Sequence, residues 1–198
     1  MSLINIDRNA AISAAMSLVP ITASDYGVAI DLAYARGDNF TGKRVYRRAQ
    51  CYLHEDAAAL LARAVALAAN MDLRLKIFDA FRPTEAQWVL WNHRPDPDFL
   101  ADPRRGSPHS RGVAVDLTLT DGEGVELDMG TDFDEFSPRS HHGAVGISAE
   151  AQGNRMILLG IMTAAGWDYY RNEWWHYQMF DAKRYPLIGD GELAEGMM

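Results

Sequence analysis

The stretch from Gly112 to Leu119 strongly constrains the fold, because large apolar side chains alternate in it with small or polar ones. A period of two is typical of a β-strand, whose successive side chains point to opposite faces of a sheet. One face carries Val113, Val115, Leu117 and Leu119, and the other carries Gly112, Ala114, Asp116 and Thr118. The sequence therefore predicts a strand over 113–120 with a core face and a second face, on which Asp116 has room beside it for an ion or a ligand.

The rest of the chain shows both helical and strand patterns. Apolar residues at helical spacing follow Glu55 and Asp56, and a second long helix is predicted over 149–165. Pro83 suits the first turn of a short helix that runs to about residue 91. Further strands are predicted at 73–77, 125–129, 167–170 and 174–179, and long loops at 92–105 and 130–146. Since neighbouring strands favour antiparallel pairing, we expect one α+β domain with a central, mostly antiparallel sheet and flanking helices.

The charge balance disfavours several classes of partner. The chain has 198 residues, with 19 Lys and Arg against 27 Asp and Glu, so its formal net charge is −8 at pH 7. Binding that rests on phosphate neutralisation needs a basic surface, so neither a nucleic acid nor a membrane is expected as a partner. Cys51 is the single cysteine, which excludes an intramolecular disulfide and a cysteine-based metal cluster.

The first residues are expected to lie outside the folded unit. Residues 1–16 are interpreted as an N-terminal extension, and residues 17–198 as the domain. The stretch 10–21 is mildly apolar, but Asp7 cancels Arg8 and Pro20 interrupts the run, so a secretory signal is disfavoured. We therefore expect a cytoplasmic protein, with a periplasmic or secreted one as the less favoured alternative.

His109, Asp116 and His176 are candidates for a metal site. His109 precedes the strand and can fold back past Gly112 toward Asp116, while His176 lies on another predicted strand. Two imidazoles and one carboxylate suit Zn²⁺, and a fourth position left open for water is typical of catalytic zinc. The residues alone leave open the alternative that the histidines are ordinary surface or core side chains and that Asp116 is solvated.

Glu173 and Arg82 are candidates for catalytic groups beside such an ion. Glu173 lies three residues before His176, so on a regular strand the two would face opposite ways. It reaches the same site only if a turn at 171–172 or a bulge redirects it. Arg82 follows Asp79 at a strand end and offers a permanent charge and five donors to a developing oxyanion. The structural alternatives are a turn residue for Glu173 and a surface salt bridge for Arg82.

Six segments of the chain carry a resemblance to a known family. They are Asp38–Gly42, Asp79–Pro83, Ser107–Leu119, Met129–Gly130 with Phe133–Asp134, Arg139–His142 and Glu173–Tyr177. In this order they resemble the D-alanyl-D-alanine dipeptidases, which are relatives of the zinc D,D-carboxypeptidases and of the hedgehog signalling domain. The resemblance covers about residues 17–187, and its Ser-x-His…Asp and Glu-Trp-Trp-His signatures are specific in combination. It therefore favours the functional interpretation of each segment.

The resemblance implies a hedgehog/D,D-peptidase-like fold and a role for each matching residue. His109, Asp116 and His176 would hold one zinc ion per chain. Glu173 would be the general base, and Arg82 would stabilise the tetrahedral intermediate.

The implied substrate is free D-alanyl-D-alanine, which would be hydrolysed to two D-alanines. Asp134 would bind the N-terminal ammonium group of the dipeptide, helped by Ser107, and Tyr34 matches a pocket tyrosine of the family. The small dipeptide is the expected partner. The oligomeric state stays open, a homo-oligomer included.

Two other functions remain as alternatives. A zinc D,D- or L,D-carboxypeptidase or endopeptidase would cleave longer peptidoglycan stem peptides and would be exported, but such a substrate has no ammonium group for Asp134. A non-catalytic zinc-binding module on the same fold would need neither Glu173 nor Arg82. Hydrolysis of the free dipeptide is the function that uses all of these residues.

Overall fold

The computed structural model describes residues 17–198 as a mixture of helices and short strands. The strands are β1 Leu18–Pro20, β2 Ala29–Ile30, β3 Tyr52–His54, β4 Arg74–Asp79, β5 Ala114–Thr120, β6 Asp168–Tyr169 and β7 His176–Gln178. The helices are α1 Ala23–Tyr26, α2 Glu55–Ala69, α3 Thr84–His93 and α4 Ala149–Ala165. The extension assigned to residues 1–16 lies outside the described residues.

Five of the strands form one sheet in the order β2-β4-β5-β7-β6. β2 runs parallel to β4, and the other neighbours in this sheet are antiparallel. β1 and β3 form a separate antiparallel pair. The predicted α+β architecture with a mostly antiparallel central sheet is confirmed.

β5 is the middle strand of the sheet, and all seven of its residues are buried. Helices α2 and α4 pack against each other, α2 contacts β4, and α4 contacts β5. Val115 and Leu117 belong to the hydrophobic core. Asp116 and Thr118, which alternate with them, are buried as well. The strand is therefore covered on both faces, so its polar face needs partners other than bulk water.

The two long helices begin at residues that satisfy their free backbone groups. At the start of α4, Ser148 Oγ accepts a hydrogen bond from Ala151 N at 3.0 Å, and Gly166 ends the helix with a φ of 106°. At the start of α2, His54 Nδ1 accepts a hydrogen bond from Asp56 N at 3.2 Å. The predicted bounds of α4 are confirmed. Within residues 17–198, no helix combines the length and apolar character needed to cross a membrane.

The return strand predicted over 125–129 does not form, so that prediction was wrong. The turn after β5 is present, because Asp121 N donates to the Val125 carbonyl at 2.9 Å. Pairing with β5 then stops after an isolated bridge to Glu126 and one further bond from Leu127 N to Leu119 O. Asp128 Oδ1 next accepts from Gly130 N at 2.7 Å, and Gly130 takes a φ of 78°. This side-chain turn leads the chain away from the sheet.

The two C-terminal strands are shorter than predicted. β6 is confined to 168–169 and β7 to 176–178. Trp174 and Trp175 form a turn before β7 instead of its first residues. The residue before this turn, Glu173, is therefore free of the strict alternation of a strand.

Candidate active site

His109, Asp116 and His176 meet on the central sheet. Asp116 in β5 is paired with His176 in β7. His109 comes from a 3₁₀ turn, His109–Arg111, that immediately precedes β5. Gly112 joins the turn to the strand with a φ of 69°, and a Cβ there would lie 2.5 Å from Leu18 Cδ2 and 3.1 Å from His54 N, so this position favours glycine. The turn folds His109 back toward Asp116, as the sequence predicts.

The potential ligand atoms of these three residues face one another at short range. Asp116 Oδ1 lies 3.0 Å from His176 Nδ1, and Asp116 Oδ2 lies 3.3 Å from His109 Nε2. The two ring nitrogens are 3.1 Å apart. All three residues are buried. Ligand atoms at 2.0–2.1 Å from a tetrahedral Zn²⁺ stand about 3.3 Å apart. The spacing therefore fits a single metal ion.

Hydrogen bonds behind the two rings fix which nitrogen faces this set. His109 Nδ1 donates to the Ala80 carbonyl at 2.7 Å, and His176 Nε2 donates to Gln178 Oε1 at 3.1 Å. These bonds leave lone pairs on His109 Nε2 and His176 Nδ1, directed at the Asp116 carboxylate. Acceptor atoms at this distance repel one another unless a cation lies between them. The donor set thus fits the metal ion that the sequence predicts.

Glu173 reaches the site because a turn at 171–172 redirects it, as the sequence predicts for a residue that shares a site with His176. Residues 171–172 form one turn and 174–175 another, so Glu173 is not held in a regular strand. Its Oε2 lies 3.8 Å from His176 Nδ1. Burial first, and then the charges of Asp116 and Asp134, raise the pKa of Glu173 well above its ordinary value. A cation at the ligand set would offset this repulsion, so the carboxylate could then accept a proton.

Arg82 follows β4 and is held from several sides. Its Nε donates to Asp79 Oδ2 at 2.8 Å, its Nη1 donates to Gln87 Oε1 at 2.9 Å, and its Nη2 lies 3.4 Å from Asp116 Oδ2. A β-bulge at the end of β4 places Asp79 opposite Asp116, and Tyr46 Oη donates to Asp79 at 2.9 Å. Arg82 is only 4% exposed, so the surface salt bridge considered from the sequence is wrong.

Asp134, Tyr34 and Ser107 lie at the same site. Tyr34 Oη donates to Asp134 Oδ2 at 3.0 Å, and the Arg82 guanidinium lies 5.0 Å from the centre of the Tyr34 ring. Asp134 adopts a left-handed backbone conformation with a φ of 61°. Burial, followed by the charge of Asp116, raises the pKa of Asp134 to about 8. Ser107 Oγ accepts a hydrogen bond from His109 N at 3.2 Å.

One cavity of about 190 Å³ collects all of these groups. Its lining includes every site residue named from the sequence: Tyr34, Arg82, Ser107, His109, Asp116, Asp134, Glu173 and His176. The apolar part of the wall includes Trp175 and residues from 97–101 in the long loop after α3. Sites for drug-sized ligands measure roughly 300–1,000 Å³, so this cavity suits a smaller molecule.

Two amide side chains that support the site were not identified from the sequence. Gln178 lies two residues after His176 and therefore on the same strand face, so a signal was present. Gln87 holds Arg82 and also donates from Nε2 to the Ala101 carbonyl at 2.7 Å. Nothing in its spacing distinguishes it from an exposed residue of a short helix.

The groups that line the cavity indicate the class of enzyme to which the chain belongs. A metal set beside a carboxyl group and a fixed guanidinium provides for water attack on a carbonyl group, so the fold and the site define a peptidase with a single metal ion. A sequence model described as D-ala-D-ala dipeptidase matches residues 14–189. The chain belongs to the D-Ala-D-Ala dipeptidase family.

Curated relatives agree with this assignment, and two solved structures show a weaker likeness to the chain. The D-alanyl-D-alanine dipeptidase of Escherichia coli (strain K12) is 47% identical over 161 residues, which cover 81% of this chain and 83% of that protein. The enzyme of that name from Enterococcus faecium is 37% identical over 182 residues, covering 81% and 90%. The LdcB LD-carboxypeptidase shares 18% identity with a TM-score of 0.46, over 85% of this chain and 70% of that one. The D,D-pentapeptidase VanY, solved in complex with Zn(II), shares 16% sequence identity with a TM-score of 0.44, over 83% of this chain and 84% of that one.

Proposed function

We propose that the protein hydrolyses free D-alanyl-D-alanine to two D-alanines, with one zinc ion held by His109, Asp116 and His176. The observation that carries this proposal is that Asp134 lines the same small cavity as the metal set. A carboxylate there suits the ammonium group that a free dipeptide has one residue from its scissile bond. A relative that is 47% identical is named for this activity.

The contacts of the site residues support a role for each proposed catalytic group. When bound, Zn²⁺ would polarise the scissile carbonyl and lower the pKa of a water molecule toward about 7. Glu173 Oε2 accepts the proton of the attacking water and returns it to the leaving amine. Arg82, whose Nε and Nη1 are engaged by Asp79 and Gln87, offers its remaining N–H groups to the oxyanion that forms.

The opposite end of the substrate is held by Asp134. Tyr34 donates to Asp134 Oδ2, which leaves Oδ1 for the ammonium group. Because burial raises the pKa of this carboxyl group, a positive charge beside it stabilises the ionised form and forms a charge-assisted hydrogen bond. The Ser107 hydroxyl, which lines the cavity, is proposed as a second polar contact for the substrate.

The test is a substrate panel run on one zinc-loaded sample of measured metal content. We expect D-alanine release from D-Ala-D-Ala and little from N-acetyl-D-Ala-D-Ala or a stem pentapeptide, which share the scissile bond but lack the nearby ammonium group. Asp134→Asn should reduce the preference for the free dipeptide over the N-acetylated one, because the asparagine amide carries no charge to bind the ammonium group. Failure of zinc-loaded wild-type protein to cleave the dipeptide would overturn the proposal, and efficient cleavage of the pentapeptide would favour the carboxypeptidase alternative.

We also propose that the protein works in the cytoplasm, on a small dipeptide of cell-wall metabolism. Its single cysteine, Cys51, supports this, because it is buried and has no disulfide partner within the chain. Fractionation of cells that produce the full chain tests the location. Recovery of the protein outside the cytoplasmic fraction would contradict it.

A further inference from the structure

Arg155 of α4 is a buried arginine whose hydrogen bonds go to neutral oxygens. It is 1% exposed. Its Nε donates to the Met129 carbonyl at 2.7 Å, and its Nη1 donates to the carbonyls of Arg139 at 2.9 Å and His141 at 3.1 Å. Burial lowers the pKa of Arg155 to about 10, so it stays charged at neutral pH. A buried charge is costly unless it is well bonded, so these carbonyls are held firmly.

The carbonyls that Arg155 binds lie at both ends of one segment, residues 129–141, which we call the Asp134 loop. Trp174, which lies outside the loop, also binds residues near both of its ends. Thr131 Oγ1 accepts from Trp174 Nε1 at 2.8 Å and lies 3.4 Å from Arg155 Nη2. Trp174 N donates to the Ser140 carbonyl at 3.0 Å. Arg155 and Trp174 therefore fasten the two ends of the loop to α4 and to the turn that directly follows Glu173.

The middle of the Asp134 loop needs such support. The left-handed backbone of Asp134 costs free energy in a residue other than glycine and persists only where the surroundings impose it. Phe133 packs on Phe78 and Trp175, with ring centroids 4.9 and 5.3 Å apart. The loop thus has an apolar anchor in its middle and a guanidinium at its ends.

We propose that Arg155 is a positioning residue of the peptidase site, which fixes both ends of the Asp134 loop and thereby sets where the Asp134 carboxylate meets the ammonium group of the substrate. The proposal rests on the proposed function. Arg155 does not line the cavity, so its effect passes through Asp134. A displacement of about 1 Å at a positioning group can cost on the order of 10²-fold in kcat/KM.

The test compares Arg155→Gln, Arg155→Lys and Asp134→Asn with Arg63→Gln, an exchange at an exposed arginine of α2. We expect Arg155→Gln to raise KM for D-Ala-D-Ala at least ten-fold, with a smaller change in kcat and unchanged zinc content. Arg155→Lys should restore part of the loss, because it keeps the charge and one donor. In the Asp134→Asn background, Arg155→Gln should raise KM little further, since both substitutions act on the contact between residue 134 and the ammonium group of the substrate. An unchanged KM, or a full additional loss in that background, would overturn the proposal.

Amide hydrogen exchange gives a readout independent of activity. Arg155→Gln should speed exchange in 129–141 and leave β5 protected, and unchanged exchange in the loop contradicts the proposal. If Arg155→Gln does not fold, Arg155→Lys is measured in its place, because a single ammonium group cannot bind both ends of the loop as the guanidinium does. A smaller rise in KM and faster exchange in 129–141 are then expected. Inactive wild-type protein would overturn the proposed function and this substrate role together. An active wild type whose variants keep KM would overturn the role of Arg155 alone.

Discussion

Hydrogen-bond acceptors behind the metal set, one from the backbone and one from a side chain, decide which nitrogens of the two histidines face it. The Ala80 carbonyl accepts from His109 Nδ1, whereas the Gln178 amide oxygen accepts from His176 Nε2. The two histidines therefore present different nitrogens, Nε2 and Nδ1, to the same point. Outer partners of this kind orient a ligand ring and raise its basicity. The hydrogen bond between His176 and Gln178 is therefore expected to affect metal affinity.

We expect Gln178→Leu to weaken zinc binding by roughly 10- to 100-fold, because His176 loses the acceptor that fixes its tautomer. Competition with a chromophoric zinc chelator measures the affinity directly. Gln178→Glu, which keeps an acceptor oxygen at the same reach, serves as the matched control and should stay close to wild type. Equal affinities for the leucine variant and the wild type would show that the bond has no such role.

At the scale of elements, two loops meet over one end of the cavity through a row of aromatic rings. Phe99, from the loop after α3, stacks on Phe136 of the Asp134 loop at 5.0 Å with planes 5° apart. Phe136 contacts Phe40 at 5.0 Å, and Phe40 contacts Tyr34 at 6.1 Å. Because Tyr34 binds Asp134, this row closes the cavity beside the group that would hold the ammonium end of the substrate.

Phe99→Ala should relax the proposed restriction to free dipeptides. Its ring contributes about 0.5–1.5 kcal/mol of pair energy with Phe136 and forms part of the cavity wall, so its loss opens the ammonium end. We expect the ratio of kcat/KM for N-acetyl-D-Ala-D-Ala to that for D-Ala-D-Ala to rise. Phe180→Ala, at a ring that is 62% exposed, is the control. A ratio that stays at the wild-type value would contradict a gating role for the row.

The sequence predicts individual elements well where local chemistry decides them. The bounds of α4 follow from Ser148 and Gly166. The core face predicted for β5 is confirmed, because Val115, Leu117 and Leu119 belong to the hydrophobic core. The strand predicted at 125–129 failed because Asp128 and Gly130 form a side-chain turn that competes with pairing. Apolar alternation alone cannot show which of the two wins.

For the whole molecule, the site exists only because the sheet brings distant segments together. His109 and His176 are 67 residues apart in the sequence, yet their nitrogens lie 3.1 Å apart. The types of the ligands and the need to redirect Glu173 could be inferred from spacing and from the family resemblance. The pairing of Asp116 with His176, and the closure by Phe99 and Phe136, depend on tertiary packing that leaves no periodic trace in the sequence.

Because the metal set joins β5, β7 and the turn before β5, zinc should stabilise the whole fold. At a free zinc concentration of about 100 times Kd, we expect the free energy of unfolding to exceed that of the metal-free protein by about 2.7 kcal/mol. Urea titrations with and without zinc measure this difference. Asp116→Asn should lose most of this gain. Glu173→Gln should keep it while losing activity, since Glu173 is assigned to the proton and not to the metal. A zinc-independent unfolding curve for wild type would contradict the assignment.

The alignment of β5 with β7 decides whether the metal ligands come together. Pairs such as Asp116 with His176 hold the strand in one alignment with β7. A slip by one residue would turn every side chain of β5 to the opposite face, so that Asp116 would enter the apolar core and Val115 or Leu117 would face the imidazoles. A molecule misaligned in this way could not carry the metal. At saturating zinc, the metal content of a preparation therefore reports the fraction of molecules whose central strand is in its native alignment.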